Sequence, residues 1–375
     1  MRHYTKEMKL LIVSACLAVA ATVHGSWSTQ DSGTKVQFRG VSALSAGVCW
    51  AAGSDGTFAR VVDGVNWTAR QIPGAEKMVF RSVVAWDADH ATLLAIGKGD
   101  ASRIYHTDDG GANWMLQFTN PDPAAFYDAI QFWDPKHGMA FSDPIGGKFR
   151  VLRTDDGGMN WKVLPNSGMP GALDGEGAFA ASGTCLVVHG SGDAWIATGG
   201  ASFSRVFHST DRGMHWTVAQ TPIPAVKETA GVFGMAFRSA KEGIAVGGDY
   251  KNPIVGDDTI AVTLDGGQSW TAVGDASAGA KVAHRFPDGL FEGVGFADAT
   301  TVVVIGPSRA KHASGVTSFA ADVNHNVAFN WKSDASDAIL GLHACSFVAG
   351  ITDPIAQVGW AVGDNGLIAK WIWRG

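Results

Sequence analysis

The 375-residue chain contains few cysteines, few tyrosines and little charge, with four residues of each of the first two kinds and 17% charged residues. Three cysteines, Cys49, Cys185 and Cys345, follow the N-terminal segment. Their odd number leaves at least one free thiol, and the absence of any Cys-x-x-Cys spacing excludes a zinc ribbon and a thioredoxin-like motif. The 29 basic residues against 35 acidic ones give a net charge of −6. This balance argues against nucleic acid as a partner.

The common cofactor and catalytic motifs are also missing. No Gly-x-Gly-x-x-Gly follows a strand and opens a helix, no Gly-x-Ser-x-Gly occurs, and the "DPIGGK" stretch at 143–148 lacks the spacing of a phosphate-binding loop. The histidines are scattered and show no metal-ligand spacing such as His-Glu-x-x-His. The sequence therefore predicts neither a cofactor nor a metal site.

One apolar run of note occurs, "LLIVSACLAVAA" at 10–21, after the basic start "MRHYTKEMK". A run this short predicts a signal peptide, with cleavage after Gly25, because a membrane-spanning helix needs about 20 apolar residues. We expect a signal peptide over 1–25 and one domain over 26–375, exported to the periplasm or secreted without a transmembrane segment. The alternative is a lipoprotein anchored at Cys16, since "VSAC" resembles a lipobox.

Glycine (48) and tryptophan (14) are abundant by contrast, and they recur in a repeat. The pattern Ser/Thr-x-Asp-x-Gly-x-x-Trp occurs at 107–114, 154–161, 209–216 and 263–270. A shortened copy lies at 61–67 and a divergent one at 321–331. The tryptophans of these copies are 47 to 61 residues apart, which is the length of one four-stranded propeller blade.

Two further elements recur upstream of each motif. The first is a short apolar strand, as in "FRGVSAL" (38–44) and "GAFAASG" (177–183), and the second is a strand that ends in a glycine-rich turn. The alternation and the turns predict an all-β chain. Seven such units predict a seven-bladed β-propeller of four-stranded antiparallel blades, whose last blade is completed by the N-terminal stretch 26–37.

The repeated motif predicts a turn between the third and fourth strands of a blade. The aspartate accepts hydrogen bonds from nearby backbone N–H groups, the glycine takes a positive φ, and the tryptophan packs on the blade. A catalytic pair is needed once, whereas this motif recurs around the ring. We therefore predict a structural role for its members, which are Asp109, Gly111, Trp114, Asp156, Gly158, Trp161, Asp211, Gly213, Trp216, Asp265, Gly267 and Trp270.

This motif resembles the Asp-box, or BNR repeat, of propellers in the sialidase-like superfamily. The wider pattern, including "SRIYHTDDGGANW" and "STDRGMHW", resembles the photosystem II stability/assembly factor-like group of bacterial proteins with WD40/YVTN/BNR-like repeats. The resemblance covers essentially all of the chain after the signal peptide. It implies a propeller whose boxes lie at the periphery, away from a central ligand face.

The candidate binding residues lie where the inner strands and the loops after the second strands converge on the channel mouth. Arginines beside carboxylates suit a peptide backbone, a C-terminal carboxylate or a sugar acid. The alternative is a solvated rim of salt bridges between blades. The candidates are Arg39, Arg81, Tyr127, Asp128, Asp143, Glu176, Asp249, Tyr250, Glu292 and His343.

These observations favour a monomeric, non-catalytic scaffold that binds a protein or peptide partner in the cell envelope. The resemblance adds a role as an assembly or stability factor for an envelope or membrane complex. The alternative is a carbohydrate-active propeller, either a sialidase-like glycoside hydrolase or a glycan-binding protein. Its chemistry would rest on Tyr127 with Glu176, together with Asp128 and Arg81, but the sialidase Arg-Ile-Pro signature is missing.

Overall fold

The computed structural model describes residues 24–253, 258–273, 289–297, 301–306, 316–321, 327–332, 341–349 and 358–374. These residues form β-strands joined by turns, with two short 3-10 turns at Gly99–Ala101 and Asp364–Gly366. Among them, no helix has the length and apolar character that crossing a membrane requires. The predicted signal peptide lies almost wholly outside these ranges. Its predicted end at Gly25 falls inside the first strand, β1 (His24–Gln30).

The strands are short and follow one another with few interruptions. Those of blades 1 to 3 are β2 (Phe38–Ala43), β3 (Cys49–Gly53), β4 (Thr57–Val61), β5 (Thr68–Gln71), β6 (Val79–Ala85), β7 (Ala91–Ile96), β8 (Arg103–Thr107), β9 (Met115–Thr119), β10 (Tyr127–Phe132), β11 (Gly138–Ile145), β12 (Lys148–Thr154) and β13 (Lys162–Val163). Those of blades 4 to 6 are β14 (Leu186–His189), β15 (Asp193–Ala197), β16 (Arg205–Ser209), β17 (Thr217–Gln220), β18 (Ala230–Phe237), β19 (Gly243–Asp249), β20 (Ile260–Thr263), β21 (Thr271–Ala272), β22 (Gly293–Phe296), β23 (Thr301–Ile305), β24 (Val316–Ala321) and β25 (Val327–Lys332). The closing sheet contains β26 (Leu342–Phe347), β27 (Gly359–Gly363), β28 (Ile368–Arg374) and β1.

The prediction of seven blades is wrong: the chain forms six blades of consecutive strands, and a composite sheet closes the ring. Six blades consist of four antiparallel strands that follow one another in the chain, from β2–β5 to β22–β25. The ring is completed by a composite sheet that both ends of the chain form. In it, β1 pairs antiparallel with β28, from His24 opposite Arg374 to Gln30 opposite Ile368. The inner strands contact one another in the order β2, β6, β10, β14, β18, β22, β26 and back to β2. The fold is therefore an all-β propeller.

Aromatic side chains fill the interfaces between neighbouring blades. Trp114 of blade 2 packs edge-on against Phe58 of blade 1, with ring centroids 5.0 Å apart, and it also contacts Trp50. In the same way Trp67 of blade 1 packs on Trp360 of the closing sheet at 5.4 Å. The repeated tryptophan therefore packs between blades, which is more specific than the predicted packing on a blade face.

The four full copies of the motif form the same turn. In the first copy, Asp109 Oδ1 accepts hydrogen bonds from the Thr107 hydroxyl at 2.9 Å and the Asn113 backbone N–H at 2.8 Å. The Thr107 hydroxyl in turn accepts from the backbone N–H of Gly111 at 3.0 Å. Gly111 has φ +81°, and a Cβ there would lie 2.5 Å from the Phe58 ring. Equivalent bonds occur around Asp156, Asp211 and Asp265.

One predicted strand is absent. The stretch "GAFAASG" at 177–183 forms no strand, and the inner strand of blade 4 begins only at Leu186. The predicted inner-strand position of Glu176 is therefore wrong, because Glu176 lies in the preceding loop. The sequence signal was misleading because this apolar stretch packs against other blades and not within a strand.

Candidate functional site

A bulge in the first half of five inner strands positions four of the candidate residues. The register shifts once in β2, β6, β10, β18 and β26, and each shift leaves one residue out of the ladder. A bulge re-aims the side chain of the extra residue. The residues concerned are Arg39, Arg81, Asp128, Phe233 and His343. Glu292 comes directly before β22 and occupies the corresponding place in blade 6.

Three of these residues form an ionic network across blade 1, blade 6 and the closing sheet. Glu292 Oε2 accepts from Arg39 Nη1 at 2.9 Å and lies 2.5 Å from His343 Nδ1. The other ring nitrogen of His343 lies 3.0 Å from Asp364 Oδ1, which also accepts from the Gln37 amide at 2.6 Å. Glu292 and His343 are buried. Arg39 and Glu292 therefore form a salt bridge between blades, and His343 bonds the Glu292 and Asp364 carboxylates.

The segment at 177–184, which we call the plug segment, contacts four blades across the channel. Arg81 Nη1 of blade 2 donates to the Ala180 carbonyl at 3.0 Å, and the Ala178 N–H donates to Asp143 Oδ1 of blade 3 at 2.9 Å. Its contacts with blades 5 and 6 are Phe179 stacked on Phe233 at 4.1 Å, and the Ser182 hydroxyl donating to the Glu292 carbonyl at 2.8 Å. Only a segment inside the ring reaches all four blades, so the plug segment lies in the channel.

The two arginines retain unused hydrogen-bonding capacity. The Nε atoms of both Arg39 and Arg81 are buried without a hydrogen-bond partner among the described residues. Burial, followed by the nearby charge of Arg39, lowers the pKa of Arg81 to about 10, against the attraction of Glu292. Arg81 stays protonated at neutral pH, because its pKa remains well above 7.

Asp128 is a buried carboxyl of blade 3. Both of its oxygens are inaccessible and make no hydrogen bond within the described part of the chain. Burial, and then the charge of Asp143, raise the pKa of Asp128 well above its ordinary value. Burial also raises the pKa of Asp143, whereas the hydrogen bond from Ala178 and the charge of Lys98 lower it. Both effects on Asp128 disfavour its charged form.

The structure does not bring Tyr127 and Glu176 together as a nucleophile pair. Glu176 is clamped by Arg205, whose Nε donates to Oε1 at 2.9 Å and whose Nη2 donates to Oε2, and by the Thr198 hydroxyl at 2.6 Å. Tyr127 is buried and lies beside Arg150. Burial raises the pKa of Tyr127 to about 12. Tyr127 is therefore held as a neutral phenol, and every described partner of Glu176 is structural.

Asp249 and Tyr250 lie beside an open pocket of about 340 Å³ at blade 5. Asp249 accepts from the Thr229 hydroxyl at 2.6 Å, the Lys251 N–H at 2.9 Å, the Asn252 amide at 2.8 Å and the Lys227 ammonium at 3.0 Å. Burial opposes these bonds, but together they hold the pKa of Asp249 well below its usual range. Asp249 is therefore a fixed, saturated anion, and Tyr250 beside it is 45% exposed.

Sequence reasoning missed several residues of this region. Phe233 occupies a bulge like the charged candidates, but an apolar residue in an apolar strand gave no signal. Arg205 and Lys227, which pair with Glu176 and Asp249, lie in other strands or loops and meet them only in the fold. Within the described ranges, no three histidine, cysteine or acidic side chains are grouped so as to hold a metal ion.

Comparison with solved structures places the chain among β-propellers. It resembles a structure described as YCF48 bound to D1 peptide, with a TM-score of 0.60 and 15% identity over 92% of this chain and 97% of that one. It also resembles YCF48 from Cyanidioschyzon merolae, with a TM-score of 0.62 and 14% identity over 92% and 99%. An ancestral GH74 enzyme gives a TM-score of 0.60 at 13% identity, over 92% of this chain and 46% of the enzyme.

These identities establish the fold alone. A scan against protein-family models found no match, and a comparison with curated proteins found none either. The propeller part of the predicted resemblance is confirmed, whereas membership of the Asp-box repeat families stays a prediction.

Proposed function

We propose that this chain is a binding propeller whose partner is a polypeptide. The partner docks on the face where the inner strands begin, which we call the entry face. The observation that carries this proposal is the combination of an occupied channel and an open pocket beside it. The plug segment and the ion pairs occupy the channel, while the blade 5 pocket stays exposed next to Tyr250. The similarity to a YCF48 structure that holds a D1 peptide supports the same reading.

The proposal includes export. The basic and apolar N-terminal stretch supports a signal peptide, so that the propeller acts in the periplasm or outside the cell, with the lipoprotein form at Cys16 as the alternative. A partner in the cell envelope follows from this location. We further propose that the protein assists the assembly or stability of an envelope or membrane complex, as its resemblance to assembly factors implies.

Affinity capture from the native envelope, followed by mass spectrometry, tests the proposal. Tagged wild-type protein should recover one reproducible polypeptide, and Tyr250→Ala should recover less of it. Replacement of an exposed apolar residue on the opposite face, Leu264→Ala, should leave recovery unchanged. Equal recovery by all three proteins would remove the entry face from the proposal, and recovery of nothing specific would refute polypeptide binding.

Glycoside hydrolysis is the competing function, because propellers of GH74 enzymes share the fold. Hydrolysis of a glycosidic bond needs two carboxyl groups on either side of an accessible bond. Asp128 is inaccessible and Glu176 is saturated by Arg205. We therefore expect no hydrolysis of model glycosides by the purified protein, and activity that Glu176→Gln abolishes would favour the enzyme.

A further inference from the structure

We propose that the blade 5 pocket recognises an apolar side chain followed closely by an acidic side chain of the partner polypeptide. This inference rests on the proposed function and adds the chemical class of the ligand. The pocket lies between the loop that precedes β18 and the loop that follows β19. Pro224, Val226 and Ala230 contribute its apolar wall.

The apolar wall of the pocket accounts for the apolar side chain of the proposed ligand. Val226 is 79% exposed, so apolar surface faces solvent at the pocket. A cavity of about 340 Å³ exceeds the volume of one large side chain and also takes adjoining backbone. Burial of one Val, Leu, Phe or Met side chain is worth roughly 10-fold to 150-fold in affinity. An aromatic or branched apolar residue is the anchor that this wall fits.

The charges at the rim of the pocket account for the acidic side chain of the proposed ligand. Asp249 already accepts bonds from four donors, so the pocket offers no unsatisfied anion to a cationic ligand. The Lys227 ammonium gives one of its three N–H groups to Asp249, and its side chain remains 59% exposed. Glu228 and Lys251 are exposed, but neither lines the pocket. Of the two charged residues that line it, Lys227 is therefore the one that keeps unused hydrogen-bonding groups.

An acidic side chain fits this rim better than a C-terminal carboxylate. Capture of a chain terminus uses converging backbone N–H groups. Here the Lys251 backbone N–H is already donated to Asp249. The flexible Lys227 ammonium acts instead as a point charge, which an Asp or Glu side chain can reach without ending the chain.

Selection from a phage-displayed library of random peptides with free flanking sequence tests the inference. Wild-type protein should enrich peptides that carry an aromatic or branched apolar residue and an Asp or Glu within three positions. Lys227→Ala should weaken binding of a selected peptide about fivefold, which is the upper range for an exposed ion pair. Val226→Asp should weaken it at least about tenfold. Raised salt should weaken wild-type binding and have less effect on Lys227→Ala.

Matched changes on the opposite face of the same blade serve as controls. Leu264→Asp and Lys241→Ala replace exposed residues there and should leave peptide binding unchanged. Enriched peptides without the motif, or binding insensitive to both Val226→Asp and Lys227→Ala, would overturn this inference while leaving polypeptide binding in place. Peptides that bind only with a free C-terminus would contradict the recognition of an acidic side chain. Failure to enrich any peptide, together with failed capture of an envelope partner, would overturn both proposals.

Discussion

At the scale of the residue, the aspartate of the repeated motif shows how one side chain sets a turn. Asp109 binds the residue two positions before it and the residue four positions after it. The backbone hydrogen bond from Asn113, followed by its side-chain bond, lowers the pKa of Asp109 to about 2. The motif letters Asp, Gly and Trp predicted the turn. The residue just before the tryptophan also bonds the aspartate through its side chain. It varies as Asn113, Asn160, His215 and Ser269, and its role was visible only in the structure.

Asp211→Ala should destabilise the protein by about 1 kcal/mol, because the His215 N–H and the Ser209 hydroxyl lose their acceptor. Hydrogen bonds outweigh burial and lower the pKa of Asp211 in the folded state. Its contribution is therefore present above the unfolded pKa of about 3.9 and is lost as pH falls. Urea unfolding at neutral and acid pH checks both effects. Asp108→Ala, at an exposed acid outside the motif pattern, is the control and should change nothing.

Asp128 gives the opposite dependence on pH. Its folded-state pKa is raised, so ionisation opposes folding once the pH rises above the unfolded pKa of about 3.9. Asp128→Asn should therefore gain stability relative to wild type as pH increases from acid to neutral. Chemical unfolding at several pH values measures this difference. Equal pH slopes for the two proteins would contradict the raised pKa of this carboxyl.

At the scale of the element, the plug segment shows that a local sequence pattern does not fix the place of a segment in the fold. Its sequence resembles that of an inner strand, because both are short stretches of small and apolar residues. Its backbone instead bonds Arg81 and Asp143, and its Ser182 hydroxyl donates to the Glu292 carbonyl, in three other blades. The charged candidates were predicted to meet at the centre because blade repetition aligns the inner strands. The bonds of Arg81 and Asp143 to the plug segment arise from the tertiary structure, and no local rule indicates them.

Gly183 provides a test of the plug segment. It has φ +75°, and a Cβ there would lie 2.8 Å from the Ser82 hydroxyl oxygen and 3.0 Å from the Arg81 carbonyl. Gly183→Ala should destabilise the protein by roughly 1 to 3 kcal/mol, through backbone strain and overpacking. Gly171→Ala, where a Cβ meets no atom within 4 Å, is the matched control. A neutral Gly183→Ala in thermal and urea unfolding would argue against a closely packed plug.

At the scale of the whole molecule, the closing sheet makes the ring depend on both chain ends. Trp27 of β1 packs against Trp371 of β28 at 5.1 Å and against Phe347 at 6.1 Å. We expect the loss of this contact to destabilise the whole ring, because each blade packs against its neighbours on both sides.

Trp27→Ala should lower the free energy of unfolding by about 3 kcal/mol, as for other large-to-small changes of buried aromatics. The loss should appear as an earlier single transition when fluorescence and circular dichroism are followed together. Met159→Ala, at an exposed apolar residue in the turn of another blade, should be neutral. Separate transitions for the closing sheet and the remaining blades would contradict a cooperative ring.

The sequence alone determined the all-β repeat, the turns and the positions of the motif tryptophans, because turn chemistry and strand alternation act over a few residues. The tertiary structure decided the plug segment and the location of the open pocket. These depend on which distant side chains meet, such as Arg205 with Glu176 and Lys227 with Asp249. The repeated Asp–Gly–Trp turn holds the blades, and the contacts between blades decide which charges are buried and which remain free to bind.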